Sequence, residues 1–198
     1  MKQATASRGQ RIAPGVASPL LLLCVAASAL VLVYSRSSSS VVLQVLAMLV
    51  AMVMVFFASH PLGHFFLARA YGVRTEYFFV GKSDFRKLPS KVVKLAGGLM
   101  PTIGTKLKKD ELAKLPPRKR GYVFGAGVIV SNGLVGVELL YVLAAGFSLP
   151  AVLIGALFFM VMLATEVLFS TKVGDLGKMS NEFKKQAPSS PPSPRTPP

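Results

Sequence analysis

Four long apolar stretches constrain the fold of this chain more than any other feature of its sequence. Each is long enough, or nearly so, to cross the hydrocarbon core of a bilayer as a helix. They lie at about 15–34, 41–59, 122–145 and 150–170. Because unpaired backbone groups are costly in lipid, we expect helices rather than strands. The sequence therefore predicts an α-helical multi-pass membrane protein with four transmembrane helices.

The placement of basic residues orients these helices. Of the 23 Lys and Arg residues, only Arg36 lies between the first two stretches, and none lies in the link at 146–149. The others occupy the opposite ends, above all the segment 69–120. Lys and Arg accumulate on the cytoplasmic side of membranes. We therefore predict cytoplasmic N- and C-termini. Since no eukaryotic targeting signal is evident, we expect a prokaryotic plasma membrane.

The net charge of +15 indicates a lipid partner. Each basic residue beside the anionic inner leaflet is attracted to it by about 1 kcal/mol. The sequence carries no nucleic-acid recognition motif, and we expect no specific nucleic-acid partner. The single Cys24 lies in the first apolar stretch, so it implies no disulfide framework.

Two histidines, His60 and His64, follow the second apolar stretch and are the only histidines in the chain. Side chains four residues apart on a helix lie about 40° apart, on nearly the same face. Two imidazoles at this spacing can share one metal ion. The alternative is a pair of buried or interfacial histidines that hydrogen-bond to neighbours. The spacing favours a metal site.

The segment around this pair resembles a known metal-binding helix. Residues 60–72 read HPLGHFFLARAYG, which resembles the site-2 protease family of intramembrane zinc proteases, whose helix reads like HELGHFLAARALG. Gly72-Val73-Arg74, Phe78 and Gly81 follow in the order usual in that family, and Gly97-Gly98 stands where the family has a Gly-Gly in a membrane-associated strand. The resemblance implies a three-helix site-2-protease-like core over about 41–179.

The resemblance also implies a third zinc ligand, since a zinc site needs at least three protein ligands. The family supplies an aspartate at the cytoplasmic end of a later span. Asp175 matches it in the segment VGDLG, although the family's Asn and Pro are missing. The alternative role of Asp175 is that of a turn residue at a helix end. The metal ligands implied for zinc are therefore His60, His64 and Asp175.

Pro61 stands where the family carries its general base, a glutamate. Proline has no titratable group and removes a helical hydrogen bond, so we expect a kinked helix and no peptidase activity. Glu166 is a weak candidate for a surrogate base. Nine residues separate it from Asp175, about 900° along a continuous helix. The two side chains should therefore face opposite sides unless the helix unwinds near Gly174.

Candidate substrate-binding residues come from two places. In the third apolar stretch the family has a G-P-x-x-N pattern, whose Asn is thought to assist substrate binding. Ser131 falls at that position and Asn132 follows it, although small residues there are also typical of helix packing. The second place is Gly97 and Gly98, in the strand that would hold an extended client or substrate.

The chain divides into four parts. Residues 1–14 are predicted to be a disordered basic N-terminus, and 15–40 an extra transmembrane helix with an external turn. The core follows at 41–179, and 180–198 is predicted to be a Pro-rich disordered tail. β-prone residues at 75–80 and 91–96 predict a short cytoplasmic-side β element, and 107–115 a short helix. The first helix could be a cleaved signal peptide, but its apolar run continues past Ala27-Ser28-Ala29, which favours an anchor.

The predicted function is that of a catalytically inactive pseudoprotease. It would retain a zinc site and bind a transmembrane client. One alternative is an active intramembrane zinc metalloprotease whose base is Glu166 or a residue of a partner. The other is a basic membrane anchor for a cytoplasmic assembly, in which His60 and His64 only pack and bind no metal.

Overall fold

A computed structural model describes residues 10–82 and 101–185 of the chain. Four of the described helices are long and apolar enough to cross a membrane, as the apolar stretches predict. They are α1 (Pro14–Arg36), α2 (Val41–Ala70), α4 (Pro117–Ala144) and α5 (Leu149–Val173). The chain is therefore a membrane protein with four candidate spans in its described part.

Helix α2 runs through the histidine pair without a break. It begins after Ser40, whose side chain accepts a hydrogen bond from the backbone N–H of Leu43, and it ends at Tyr71. Gly72 then adopts a positive φ of 77°, a conformation that only glycine reaches without strain. Gly72 therefore follows directly on the end of this helix. Pro61 lies inside the helix and is fully buried.

The core lies between α2 and its neighbours α1 and α4. At one level of the bundle, Met48, Met52 and Val55 of α2 pack with Leu32 of α1 and Val135 of α4. Helix α5 is attached much less closely. Of its described residues only Ala151, Gly155 and Ser170 are buried. Helix α5 therefore presents most of its surface to the lipid.

A small antiparallel sheet lies beside this bundle, in the order β1-β2-β3. Its strands are β1 (Gln10–Ile12), β2 (Thr75–Lys82) and β3 (Pro101–Leu107). Phe79 of β2 pairs with Gly104 of β3, and the ring of Phe79 occupies the space that a Cβ at Gly104 would need. Phe78 is buried and its ring packs in a tilted arrangement against Phe65 of α2, 5.6 Å between centroids. This contact joins the sheet to the histidine helix.

Two parts of the sheet differ from the sequence prediction. The segment 1–14 was expected to be disordered, yet Gln10–Ile12 forms β1 and pairs with residues 78–80 of β2. A strand three residues long carries too little local pattern to be predicted, and its pairing gives it its conformation. The strand predicted at 91–96 lies outside the described residues. On the side away from β1, β2 pairs with β3, which begins at Pro101.

Two short helices complete the described chain. Helix α3 (Lys109–Lys114) lies within the predicted 107–115. Helix α6 (Asp175–Lys184) follows α5 directly. The predicted disordered tail 180–198 is therefore wrong for its first five residues, which are helical, and residues 186–198 lie outside the described range.

Candidate metal site

Both histidines of α2 meet the first residue of α6 at the end of the bundle. Nε2 of His60 lies 3.3 Å from Oδ2 of Asp175, and Nε2 of His64 lies 3.1 Å from the same oxygen. One ligand atom from each residue lies within 4.8 Å of the others. The side chains are largely buried, with 20%, 12% and 21% exposed. The three residues predicted as metal ligands thus lie together.

The protonation of His64 follows from its other ring nitrogen. Nδ1 of His64 lies 2.8 Å from the carbonyl oxygen of Val123 in α4. A carbonyl oxygen only accepts hydrogen bonds, so Nδ1 must carry the hydrogen. In a neutral imidazole of this tautomer, Nε2 holds a free lone pair. That lone pair faces the carboxylate of Asp175.

His60 has a similar arrangement. Its Nδ1 lies 3.4 Å from Oγ of Ser131 in α4 and 3.9 Å from Oε1 of Glu166 in α5. The Ser131 hydroxyl also lies 3.3 Å from the carbonyl oxygen of Val128. Its single hydrogen can be donated to that carbonyl, which leaves Oγ to accept from Nδ1 of His60. Nε2 of His60 is then the second lone pair directed at Asp175.

These contacts bring three acceptor atoms to one point. Two imidazole lone pairs and a carboxylate oxygen repel one another unless positive charge lies between them. That charge comes either from a proton added to the rings or from one metal ion that all three atoms coordinate. Two histidines and one carboxylate are a donor set that suits zinc and leaves a fourth position open. The donor chemistry therefore fits a metal.

Asp175 is held as a carboxylate. Burial raises its pKa. When the rings of His60 and His64 carry the positive charge at this point, their N–H groups hydrogen-bond to the carboxylate and outweigh burial, so the pKa of Asp175 lies well below its usual value. Lys178, one turn further along α6, donates to Oδ1 over 2.8 Å. Because Lys178 occupies Oδ1, only Oδ2 faces the histidines. Asp175 would therefore bind a metal through a single oxygen.

A break in the helix delivers Asp175 to the site. Gly174 separates α5 from α6 in an extended conformation, and Oγ of Ser170 accepts a hydrogen bond of 3.0 Å from the backbone N–H of Leu176. A Cβ at Gly174 would lie 2.7 Å from Cα of Ser170, so the turn needs glycine. Glu166 was expected to face away only on a continuous helix, and the helix is interrupted at Gly174, the position where unwinding would bring Glu166 to the site. After the break, Glu166 and Asp175 both face His60.

Glycines of α4 allow this close approach. A Cβ at Gly127 would lie 2.8 Å from Nε2 of His60 and closer still to Nε2 of His64. Two and six residues earlier, Gly125 and Gly121 make room for Met179 and Phe183 of α6. Glycines on different sides of α4 thus make room for the histidine pair and for the helix that carries Asp175.

An ion pair fixes the far end of α6. Arg120, near the start of α4, donates to Oε2 of Glu182 over 2.9 Å, and both side chains are largely buried. A hydrogen bond from Lys185 and the charge of Arg120 hold the pKa of Glu182 below its usual value, although burial opposes this. Helix α6 is therefore anchored at both ends. Asp175 contacts the histidine pair at one end, and Glu182 pairs with Arg120 of α4 at the other.

The remaining predicted site residues differ in their positions. Ser131 contacts His60, as described. Asn132 donates to the carbonyl of Val128 in its own helix over 2.9 Å, and the described contacts do not join it to the histidine pair. The backbone carbonyl of Pro61 accepts a hydrogen bond of 2.9 Å from Thr105 of β3, which connects the sheet to the site. Gly97 and Gly98 lie outside the described residues.

Two contributors were not singled out from the sequence. Lys178 could have been found as a basic residue one turn after Asp175 on a short helix. Gly127 belongs to a group of small residues expected to pack helices, but its contact with both histidines depends on how α2 and α4 are placed.

Searches of protein-family models, curated proteins and solved structures found no match to this chain.

Proposed function

We propose that this chain is a site-2-protease-like pseudoprotease: a membrane protein that holds one zinc ion through His60, His64 and Asp175 but does not hydrolyse peptide bonds. The observation that carries this proposal is the meeting of two Nε2 atoms at one carboxylate oxygen, at 3.3 and 3.1 Å. When bound, zinc would polarise a carbonyl or a water molecule at its open position.

Pro61 is the reason to expect no peptidase activity. Hydrolysis at a zinc site needs a base that takes the proton from the attacking water. Pro61 has no such group, and it lies fully buried within α2. Losing a general base typically lowers a rate by about 10²–10⁴. The role left to the site is to hold a metal and bind a client.

A membrane-embedded client is the partner proposed for this site. The sheet lies directly beside it, because Thr105 of β3 is bonded to the carbonyl of Pro61. An extended segment of a client can add to a sheet edge through backbone hydrogen bonds. A photo-crosslinking amino acid at Thr102 of β3 should therefore capture a client, whereas the same group at exposed Lys114 of α3 should not.

The first experiment is a measurement of bound zinc in purified protein. We expect about one zinc per chain, lost in His64→Ala and strongly reduced in Asp175→Asn. Asp110→Asn is the matched control, because Asp110 is an exposed acid of α3. Stoichiometric zinc in a His60→Ala, His64→Ala double variant would disprove the site. Native protein without zinc would favour the metal-free basic anchor.

The second experiment restores the missing base. We expect no cleavage of a membrane substrate by the wild type, and cleavage by Pro61→Glu if the rest of the scaffold is intact. If neither protein cleaves while both hold zinc, a purely binding role is supported. Cleavage by the wild type would contradict the proposal.

One observation favours a second candidate function, that of an active protease with a displaced base. Glu166 lies 3.9 Å from Nδ1 of His60, so an acid is present near the proposed metal. If the wild type cleaves, and Glu166→Gln abolishes cleavage at saturating zinc, Glu166 is that base. The position of Glu166 on the Nδ1 side of the ring argues against this role, since the metal would lie on the Nε2 side.

A further inference from the structure

Two oxygen atoms from two different helices face the same ring nitrogen of His60. Oγ of Ser131 in α4 lies 3.4 Å from Nδ1, and Oε1 of Glu166 in α5 lies 3.9 Å from it. Ser131 is fully buried, and the Glu166 side chain is 15% exposed. Neither oxygen approaches through Nε2, the atom that faces Asp175. Both therefore act on His60 from the side away from the proposed metal.

A carboxylate within a membrane helix needs a reason to be there. Charged side chains in such helices are costly and generally face a partner inside the bundle. In the described part of the chain, the ion-pair partner of Glu166 is His60. Glu166 is thus an acid on a largely apolar helix, and among the described residues it is directed at the histidine pair. The placement of Glu166 thus points to a role that involves His60.

We propose that Glu166, together with Ser131, is a positioning residue for the metal site. Ser131 accepts the Nδ1 hydrogen of His60, and the Glu166 carboxylate, 3.9 Å from the same nitrogen, reinforces this contact directly after a small shift or through one water. Together they fix the tautomer and direct Nε2 of that ring at the metal. This inference rests on the proposed zinc site. Histidines that bind metals generally donate their other ring N–H to a carboxylate, a carbonyl or water, which orients the ring and strengthens the ligand.

In both histidines, Nδ1 then donates a hydrogen bond and Nε2 faces the metal, but the acceptors of Nδ1 differ. Nδ1 of His64 donates to the backbone carbonyl of Val123, 2.8 Å away. Nδ1 of His60 has a hydroxyl and a carboxylate instead. A carbonyl is fixed by the helix, whereas Glu166 belongs to α5, the loosely packed helix that precedes the break at Gly174 and Asp175. Glu166 therefore couples the position of α5 to the orientation of a ligand on α2.

A direct ligand role for Glu166 fits the geometry less well. The described ligand atoms that lie within 4.8 Å of one another come from His60, His64 and Asp175, and Glu166 is outside this group. The separation of 3.9 Å is also longer than a hydrogen bond. A small shift of either side chain, or one bridging water, closes it. Glu166 thus acts on a metal ligand, His60, and not on the metal itself.

The test compares the zinc affinity of the full-length wild type, Glu166→Leu and Glu166→Gln by competition with a chromophoric chelator. Loss of such an outer partner typically weakens metal binding about 10–100-fold. We expect this loss in Glu166→Leu and a partial recovery in Glu166→Gln, whose amide oxygen still accepts the Nδ1 hydrogen. The matched control is Glu138→Leu, which removes the buried carboxylate of α4 and should leave zinc affinity unchanged.

Two spectra separate positioning from ligation and from general packing. With Co²⁺ in place of zinc, Glu166→Gln should keep the wild-type visible spectrum, because no ligand is lost. In zinc-loaded protein with ¹⁵N-labelled histidine, the Nδ1 signal of His60 should move in this variant while that of His64 stays. Glu166→Gln nearly preserves shape, so these measurements hold even if Glu166→Leu does not fold.

The outcomes distinguish this inference from the proposed function. If the wild type binds zinc and both Glu166 variants bind it equally well with an unchanged His60 signal, the inference is wrong and the zinc site stands. A changed Co²⁺ spectrum would also overturn it, because Glu166 would then be a ligand. If the wild type binds no zinc, the proposed function fails and this inference fails with it.

Discussion

Replacing Gly127 by alanine should destroy the metal site without unfolding the protein. The new Cβ would lie 2.8 Å from Nε2 of His60 and closer to Nε2 of His64, the two atoms that face Asp175. Ordinary contacts of a Cβ begin near 3.4 Å. Each ring must therefore move by more than half an ångström. Gly127 belongs to the backbone of α4, so the methyl group itself has little freedom to withdraw.

The size of the effect follows from the tolerance of zinc sites. Ligand distances are held to about ±0.2 Å, so the required shift exceeds what one site can absorb. A structural zinc site contributes about 10–16 kcal/mol through four ligands, or roughly 3 kcal/mol for each. Displacing one histidine should then weaken binding about 100-fold, since 1.4 kcal/mol corresponds to a factor of ten. Displacing both should abolish measurable binding.

Chelator competition on protein in detergent or lipid nanodiscs measures this effect, with circular dichroism as the check on folding. The matched control is Gly133→Ala in the same helix, where a Cβ meets no atom within 4 Å. Both changes favour the helix by up to about 1 kcal/mol. Helix content should therefore be kept in both, and zinc lost only in Gly127→Ala. Equal zinc affinity in the two variants would refute the described contact and the convergence of ligands that depends on it.

Two further predictions concern topology and the anchoring of α6. In a cysteine-free background, a cysteine at exposed Ser39 should be labelled from outside the cell, and one at exposed Lys109 only after permeabilisation. The reason is that basic residues accumulate on the cytoplasmic side. The opposite labelling pattern would show that the predicted membrane topology is inverted. Arg120→Leu should lower thermal stability, and the deficit should be greatest near neutral pH. Lys185 and Arg120 lower the pKa of Glu182, so their stabilisation is present above the ordinary carboxyl pKa and is lost as Glu182 is protonated at acid pH. A deficit that does not change with pH would exclude this ion pair as its cause.

The elements that sequence predicts best are those with strong local signals. Long apolar runs specify the four spans, because lipid leaves helices as the main solution for a single segment. The placement of both histidines on one helix face follows from their spacing of four residues, and Gly72 marks the end of their helix. In each case the information lies within one continuous segment. Packing against the rest of the chain only completes these elements.

The remaining features depend on contacts between distant segments. The position of Glu166 could not be derived, because an angular count along a helix fails once Gly174 interrupts it. β1 is ordered through pairing with β2, nearly seventy residues away. β3 contains Gly104, which disfavours a strand in isolation but here lies under the ring of Phe79. Such contacts between distant segments can be recognised only when the positions of both segments are known.

The pairing of β1 with β2 has a consequence for the biogenesis of this protein. β1 precedes α1, and β2 follows α2, so the sheet joins the two open ends of a helical hairpin. The N-terminal segment must therefore stay on the side where β2 forms, and α1 and α2 must enter the bilayer as a pair before the sheet closes. A cut after Ala29 would remove β1 together with buried Ala17 and Ser28. We therefore expect α1 to remain in the folded protein, and mass spectrometry of the protein purified from membranes should find β1 and α1 still attached.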